Sequence, residues 1–181
     1  IRQLMSHTSG IDTNSSYHLD RDLTLAQAVD SIALNVQLIA EPGTEFAYGG
    51  ASMQVAGRIA EIVSGKSWDR LFAEKITRPL GMEDTDYEGL GRTDNPQIAG
   101  GARSSARDYM RFLLMLLNGG IYNGTRVLSE EAVRALHLDQ TNGATIVSSP
   151  YSKYSDLDTG IDSTRYGIGN WRERVNPTTG E

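Results

Sequence analysis

The triplet Tyr48-Gly49-Gly50 contains the residue of this sequence that is the clearest candidate for a catalytic role. It follows the helix-breaking pair Pro42-Gly43 and precedes a stretch of helical periodicity. A tyrosine at the start of a helix can serve as a base, because the positive end of the helix dipole and neighbouring cations stabilise a phenolate. A packing or surface tyrosine is the commoner explanation of such spacing, so the pattern alone does not establish catalysis.

Three histidines offer candidate metal ligands, but they lie far apart in the sequence. His7, His18 and His137 show none of the close spacing that is typical of zinc sites, so the sequence predicts no metal site. His137 lies near a predicted helix end and is interpreted as a surface cap. His18 is interpreted as a loop residue.

The segment His7-Thr8-Ser9-Gly10 places a histidine beside a serine. Adjacent side chains rarely point at each other, and a general base lies near its nucleophile in space rather than in sequence. We therefore interpret this segment as a tight turn held by hydrogen bonds between side chains and backbone.

Size and composition describe an ordinary globular domain and exclude several classes of partner. The chain has 181 residues, 39% of them hydrophobic and 22% charged, with a net charge of −6 and no cysteine. An acidic chain with scattered basic residues lacks the basic face that nucleic acids require. Without cysteine there is neither a disulfide nor a thiolate metal site. The longest apolar run, Phe112 to Leu117, is too short to span a membrane.

Apolar spacing and capping residues predict five helices. They run from Thr24 to the breaker pair Pro42-Gly43, from Ala51 to Val63 with Gly65 as C-terminal cap, from Ser67 to just before Pro79, from Ala106 to Leu117 after the cap Ser105, and onward from Ser129.

Strand signals are fewer than helix signals. Asn123-Gly124, between Ile121 and Val127, is typical of a two-residue hairpin turn. The segment from Asn142 to Asp162 is polar and irregular, and Tyr166 to Trp171 alternates in the manner of a strand. The sequence therefore predicts a mostly helical chain that ends in a strand.

Five segments, in this order, resemble motifs of the serine β-lactamase-like family, which includes class C β-lactamases, penicillin-binding proteins such as D-Ala-D-Ala carboxypeptidases, and related esterases. They are Ile1 to Ile11, similar to "iR-LLsHtSGl"; Pro42 to Tyr48, similar to "PG-x-x-F-x-Y"; Arg78 to Thr85, similar to "PLGM-x-x-T"; Ala99 to Met115, similar to "aGG-x-x-S-x-x-D-x-x-F"; and Tyr166 to Trp171, similar to "YGLGW". Each motif alone is weakly specific, whereas five in the family order are not expected by chance.

The resemblance implies an α+β, predominantly helical fold in which residues 1–181 form a partial β-lactamase-like domain. Residues 11–150 would belong to the helical subdomain, and residues 163–181 would begin the antiparallel sheet. The chemistry of the family needs no cofactor and no metal, so we expect neither. A periplasmic or extracellular location is typical of the family, although nothing in the sequence excludes the cytoplasm.

The resemblance also implies acyl transfer through a serine. In the family a Ser-x-x-Lys helix supplies the nucleophile, a Tyr-x-Asn loop supplies the base, and a Lys/His-x-Gly strand lines the substrate. Tyr48 stands at the position of the base, and Gly50 stands at the substrate-binding position of the asparagine. This glycine lacks the side-chain amide that would bind an acyl-side amide of the substrate. It puts β-lactam hydrolysis in doubt more than cleavage of simple esters.

The other two motifs are absent from these 181 residues. None of Lys66, Lys75 and Lys153 has a serine three residues before it, and no histidine or lysine begins a His-x-Gly or Lys-x-Gly triplet. In the family these motifs lie upstream and downstream of the matched segments. We therefore expect the chain to be a fragment of a longer hydrolase, with little or no activity by itself.

Two functions from different classes remain open. In the first, the parent protein hydrolyses a β-lactam, a D-Ala peptide or a small ester, with Tyr48 as general base toward a serine outside this chain. In the second, the chain is a non-catalytic binding or vestigial module, as Gly50 and the missing nucleophile suggest. The expected partners are a small-molecule or peptide substrate and, through an apolar face left exposed, further copies in a homo-oligomer.

Overall fold

Helices separated by short strands make up the computed structural model, which describes residues 1–150 and 166–172. The helices are α1 (Arg2–Met5), α2 (Leu25–Asn35), α3 (Gly50–Ser64), α4 (Trp68–Phe72), α5 (Arg78–Leu80), α6 (Ala106–Leu117) and α7 (Glu130–His137). The strands are β1 (Glu45–Ala47), β2 (Ile121–Tyr122), β3 (Thr125–Arg126) and β4 (Thr145–Ser148). A 3-10 turn covers Tyr17–Leu19, and a π-helical stretch, Ala73–Thr77, joins α4 to α5.

Helix α2 begins where the sequence predicts it but ends earlier. Thr24 caps the helix in a reciprocal capping box with the glutamine three residues later. The helix ends at Asn35, so the predicted end at Pro42-Gly43 is wrong. The chain after α2 is instead drawn into an antiparallel bridge between Leu38 and Ile11, which requires extended backbone.

Helix α3 has its predicted extent and packs through small residues. Gly65 ends the helix in a left-handed conformation with φ 66°, as expected of a C-terminal cap. Gly57 lies so close to Ile98 that an added Cβ would stand 2.6 Å from its Cγ1. The residues of α3 that face this contact must therefore be small, which brings the segment around Ile98 close to the helix axis.

The helix that begins after Ser67 does not stop before Pro79, contrary to the prediction. It continues through the π-helical stretch into α5 and ends at Gly81, whose φ is 63°. Pro79 lacks the backbone N–H that would continue the hydrogen-bond ladder, and it stands directly after the π-helical stretch, where that ladder is already irregular.

The predictions for α6, the hairpin and α7 are confirmed. Ser105 caps α6 by accepting a hydrogen bond from the Asp108 N–H, and Ser129 caps α7 in the same way. Strands β2 and β3 pair across Asn123-Gly124, where both residues have positive φ, 46° and 75°. That combination is the one a two-residue hairpin turn requires.

The strands near the C-terminus differ from the prediction. Strand β4 lies within the segment predicted to be irregular and pairs in parallel with β1, because its Thr-Ile-Val-Ser sequence favours extended backbone. Residues 166–172 do not form the predicted strand. They form a turn closed by a bridge between Tyr166 and Trp171, with Gly169 at φ 75°. The rest of the predicted sheet region, residues 163–165 and 173–181, lies outside the described residues.

Two buried apolar clusters hold these elements together. The first joins α2, β1, α3 and the 166–172 turn through Leu25, Phe46, Met53, Ile98 and Tyr166. The second joins α5 to α6 through Leu80, Met82 and Met115. The first cluster lies directly beneath Tyr48, so the core positions the candidate residue.

Candidate functional site

Tyr48 lies between the end of β1 and the start of α3. Its backbone N–H donates to the Ser148 carbonyl at 2.9 Å, which extends the pairing of β1 with β4 by one residue. Its side chain is 37% exposed. The backbone of Tyr48 is therefore fixed by the sheet, while part of its ring is open to solvent and to a ligand.

Three aromatic rings surround the ring of Tyr48. The ring centroids of His7, Trp171 and Tyr166 lie 4.5, 5.2 and 6.1 Å from its own. These residues come from segments at opposite ends of the chain, so only the folded core brings them together. Such packing holds the phenol ring in one orientation at the surface.

His7 is the buried member of this group and contacts the Tyr48 segment in two ways. It is only 3% exposed, and its Nδ1 accepts a hydrogen bond from the Gly49 N–H at 3.4 Å. Since Nδ1 accepts, the neutral ring carries its proton on Nε2, which is buried without a partner among the described residues. Burial lowers the pKa of His7 to about 4.

A histidine with this pKa is neutral at pH 7 and a weak base. In its neutral form the His7 ring packs against the Tyr48 ring and accepts a hydrogen bond from the Gly49 N–H. The turn interpretation of residues 7–10 is consistent with the structure, in which the Ser9 hydroxyl accepts from the Ile11 N–H and Gly10 has φ 78°. The contact of His7 with Tyr48 is not predictable from local sequence, because it joins residues 41 positions apart.

The pKa of Tyr166 is also shifted by its surroundings. Burial raises the pKa of its phenol, and the neighbouring phenol of Tyr48 acts in the same direction. Tyr166 is therefore protonated at neutral pH. Since it is only 3% exposed, Tyr48 is the accessible phenol of the pair.

The two glycines after Tyr48 allow a neighbouring loop to approach the start of α3. A Cβ on Gly49 would lie 2.7 Å from the Cβ of Thr13, and one on Gly50 would lie 2.4 Å from Cδ2 of His18. The second glycine thus has a histidine ring where its own side chain would be. Gly50 itself offers only backbone to a ligand, and its predicted substrate-binding role stays a prediction.

A buried polar network holds that loop in place. Gln54 of α3 donates to the side-chain oxygen of Asn95 at 2.6 Å. The Asn95 amide in turn donates to the carbonyls of Tyr17 and Asp20, at 3.1 and 2.7 Å, on either side of His18. Both Gln54 and Asn95 are almost fully buried, so water does not compete for the hydrogen bonds of this network.

Among residues 1–150 and 166–172, no group of three or more histidine, aspartate or glutamate residues is arranged to hold a metal ion. His7 and His18 lie in the neighbourhood of Tyr48, whereas His137 is the last residue of α7. In the same residues, no helix is both long and apolar enough to cross a membrane.

The fold is that of the β-lactamase and transpeptidase class, as the sequence predicts. The crystal structure of a candidate β-lactamase from Bacteroides dorei matches 99% of this chain and 54% of its own length, with 36% identity and a TM-score of 0.81. The octameric penicillin-binding protein homologue from Pyrococcus abyssi matches 92% of this chain and 42% of its own length, with 22% identity and a TM-score of 0.66.

The chain belongs to the β-lactamase family, since the family model described as Beta-lactamase matches residues 1–152. Penicillin-binding protein 4 of Amycolatopsis lactamdurans is 31% identical over 79% of this chain and 44% of its own length. The D-alanyl-D-alanine-carboxypeptidase/endopeptidase of Escherichia coli K12 is 32% identical over 48% of this chain and 27% of its own length. The chain thus spans less than half of each of these relatives.

Proposed function

We propose that these residues form part of a serine hydrolase that performs acyl transfer on a β-lactam, a D-Ala peptide or a small ester. The observation that supports this most directly is the position of Tyr48, whose partly exposed phenol is held between aromatic rings at the start of α3. The names of the relatives point the same way, since one is a penicillin-binding protein and another a D-alanyl-D-alanine carboxypeptidase.

In this proposal Tyr48 acts as general base. A serine hydroxyl is a poor nucleophile until a neighbouring base accepts its proton, and the attack on the acyl carbon then forms a tetrahedral intermediate. Backbone N–H groups stabilise the negative oxygen of that intermediate. The proton taken by Tyr48 is afterwards available to the leaving group. His7 would keep the phenol oriented through both steps.

The nucleophile must come from a Ser-x-x-Lys helix, which these 181 residues do not contain. The 181-residue chain by itself is therefore expected to be inactive. The complete open reading frame that contains it is expected to encode the active enzyme.

The test compares two proteins and two variants with p-nitrophenyl butyrate, a chromogenic cephalosporin and a D-Ala-D-Ala peptide as substrates. The product of the complete open reading frame should hydrolyse at least the ester, and Tyr48→Phe should lower its kcat by about 10²- to 10⁴-fold, because general-base catalysis is lost. Tyr122→Phe is the matched control, since Tyr122 lies in β2 against the second apolar cluster and not among the rings around Tyr48, and it should leave kcat unchanged. The 181-residue chain should show no turnover.

Two results would contradict the proposal. Turnover by the 181-residue chain that disappears in Tyr48→Phe would show that a nucleophile lies within these residues. No turnover of ester, cephalosporin or D-Ala-D-Ala peptide by the complete product would instead favour a non-catalytic binding module. The observation in favour of that second function is Gly50, which lacks the amide side chain of the family motif.

A further inference from the structure

The imidazole of His18 lies against the first residue of α3. An added Cβ on Gly50 would stand 2.4 Å from Cδ2 and 2.5 Å from Nε2 of His18, which is closer than real side chains approach. The ring of His18 therefore fills the volume that a side chain at position 50 would occupy. Gly50 begins α3, and two Cα–Cα steps of about 3.8 Å separate it from Tyr48.

Buried hydrogen bonds hold the loop that carries His18 against α3. His18 is the middle residue of the 3-10 turn Tyr17–Leu19, and the buried Asn95 amide binds the backbone carbonyls on both sides of it. Asn95 is bound in turn to Gln54, which is one turn further along α3 than Gly50. The same helix thus fixes both the ring of His18 and the glycine beneath it.

The chemistry of the imidazole suits recognition of a polar, uncharged group. His18 is half-buried, and burial lowers the pKa of its ring, against an opposing effect of the Ser15 backbone. A neutral imidazole has one N–H donor and one acceptor nitrogen, and an amide group offers one N–H donor and one carbonyl acceptor, so Nε2 can form a hydrogen bond with either. The Nε2 atom is among the atoms of the ring nearest the position of the missing side chain.

We propose that His18 is a substrate-binding residue, whose Nε2 hydrogen-bonds the amide on the acyl side of the substrate in place of a side chain at position 50. The proposal rests on the hydrolase function proposed above. It assigns acyl donors that carry an amide beside the reacting carbonyl as the preferred substrate class. It also explains why position 50 is glycine, since any larger residue would displace His18.

The test uses the product of the complete open reading frame and two activated esters that differ by one amide. These are p-nitrophenyl acetate and the p-nitrophenyl ester of N-acetylglycine. His18→Asn and His18→Gln are compared, because the amide nitrogen of glutamine can reach the place of Nε2 and that of asparagine cannot. His18→Asn should raise KM for the amide-bearing ester roughly 3- to 10-fold, with little change in kcat, since one neutral hydrogen bond is lost.

His18→Gln should keep the KM of the amide-bearing ester within about twofold of the unmodified protein, and neither variant should change the KM of the plain acetate. His137→Gln serves as control, because His137 is exposed at the end of α7 and should change nothing. A purely structural role of His18 would affect the two esters alike, which would overturn the proposal while the hydrolase function stands. Absence of turnover of both esters by the unmodified protein would overturn the hydrolase function and this inference with it.

A stability measurement tests the contact itself without any substrate. Gly50→Ala should lower the unfolding midpoint of the protein, because its Cβ collides with the His18 ring. In the His18→Ala background the same substitution should be neutral or stabilising, since alanine is the better helix former. Equal effects of Gly50→Ala in both backgrounds would show that the ring does not fill this volume, and the proposal would be wrong.

Discussion

His7 is the buried neighbour of Tyr48, and its backbone and its ring are both held in an unusual way. Its backbone has φ 58°, a left-handed conformation that is costly for most side chains. Its ring contacts the Tyr48 ring, and its Nδ1 accepts from the N–H that follows Tyr48. A strained backbone that places one ring against the candidate base is typical of positions under functional constraint.

The neutral state of buried His7 predicts a defined pH dependence of stability. Between pH 6.5 and about 4 the unfolded chain binds a proton at His7 and the folded chain does not, so the free energy of unfolding falls as the pH falls through this window. The contribution of His7 to that fall is about 3 kcal/mol by pH 4. It levels off below the folded-state pKa.

His7→Asn isolates this contribution, because asparagine tolerates positive φ and retains an acceptor for the Gly49 N–H. Denaturant titrations at several pH values between 7 and 4 should show a steeper loss of stability in the unmodified protein than in His7→Asn. Parallel curves for the two proteins would mean that His7 titrates normally in the folded state.

The sequence predicts Tyr48 but not its surroundings. Tyr48 is identified because its local motif resembles that of a family base. His7 and His18 lie 41 and 30 positions from Tyr48 in the sequence. The local sequence around His7 predicts only a turn, and that around His18 predicts only a loop. Their roles depend on packing between distant segments, which no local spacing encodes.

The Gln54–Asn95 pair connects the helix α3 to two loops, the one that carries His18 and the segment from Asn95 to Ile98. Gln54 donates to Asn95 and to the Pro96 carbonyl, and its own side-chain oxygen accepts from the Ile98 N–H at 3.1 Å. Every side-chain polar atom of the pair therefore has a partner. Removing one member leaves the others buried without compensation.

Asn95→Ala is expected to lower the free energy of unfolding by roughly 2–4 kcal/mol, because it leaves two backbone carbonyls and an amide donor without their partner. Chemical denaturation measures this directly. Asn14→Ala is the matched control, since Asn14 is exposed and its side chain bonds only to nearby Asp12. Similar small losses in both variants, within about 0.5 kcal/mol, would show that the network does not anchor the loop.

Helix starts are predicted from the sequence better than other boundaries. Thr24, Ser105 and Ser129 each cap a helix through a hydrogen bond within three residues, so the signal is local. The passage of the chain through Pro79 and the pairing of β4 with β1 depend on neighbours outside the local window. The sequence therefore fails at these two places.

At the scale of the whole molecule, α6 leaves an apolar face uncovered. Tyr109, Met110, Leu113, Leu114 and Leu117 are all exposed, and Leu117 is 81% exposed. Contiguous apolar surface of this kind marks an interaction site in most proteins. Such a face is what the fragment interpretation leads one to expect, and assembly into a homo-oligomer through it stays a prediction.

The proposed role of Tyr48 is to accept the proton of a serine nucleophile that lies outside these 181 residues. The most direct measurement is covalent labelling of the complete open reading frame product with a fluorophosphonate, followed by peptide mass spectrometry. One modified serine is expected, in a Ser-x-x-Lys sequence outside the present chain, and labelling should be slower in Tyr48→Phe because the base is lost. Labelling within residues 1–181, or none at all, would contradict the proposed role.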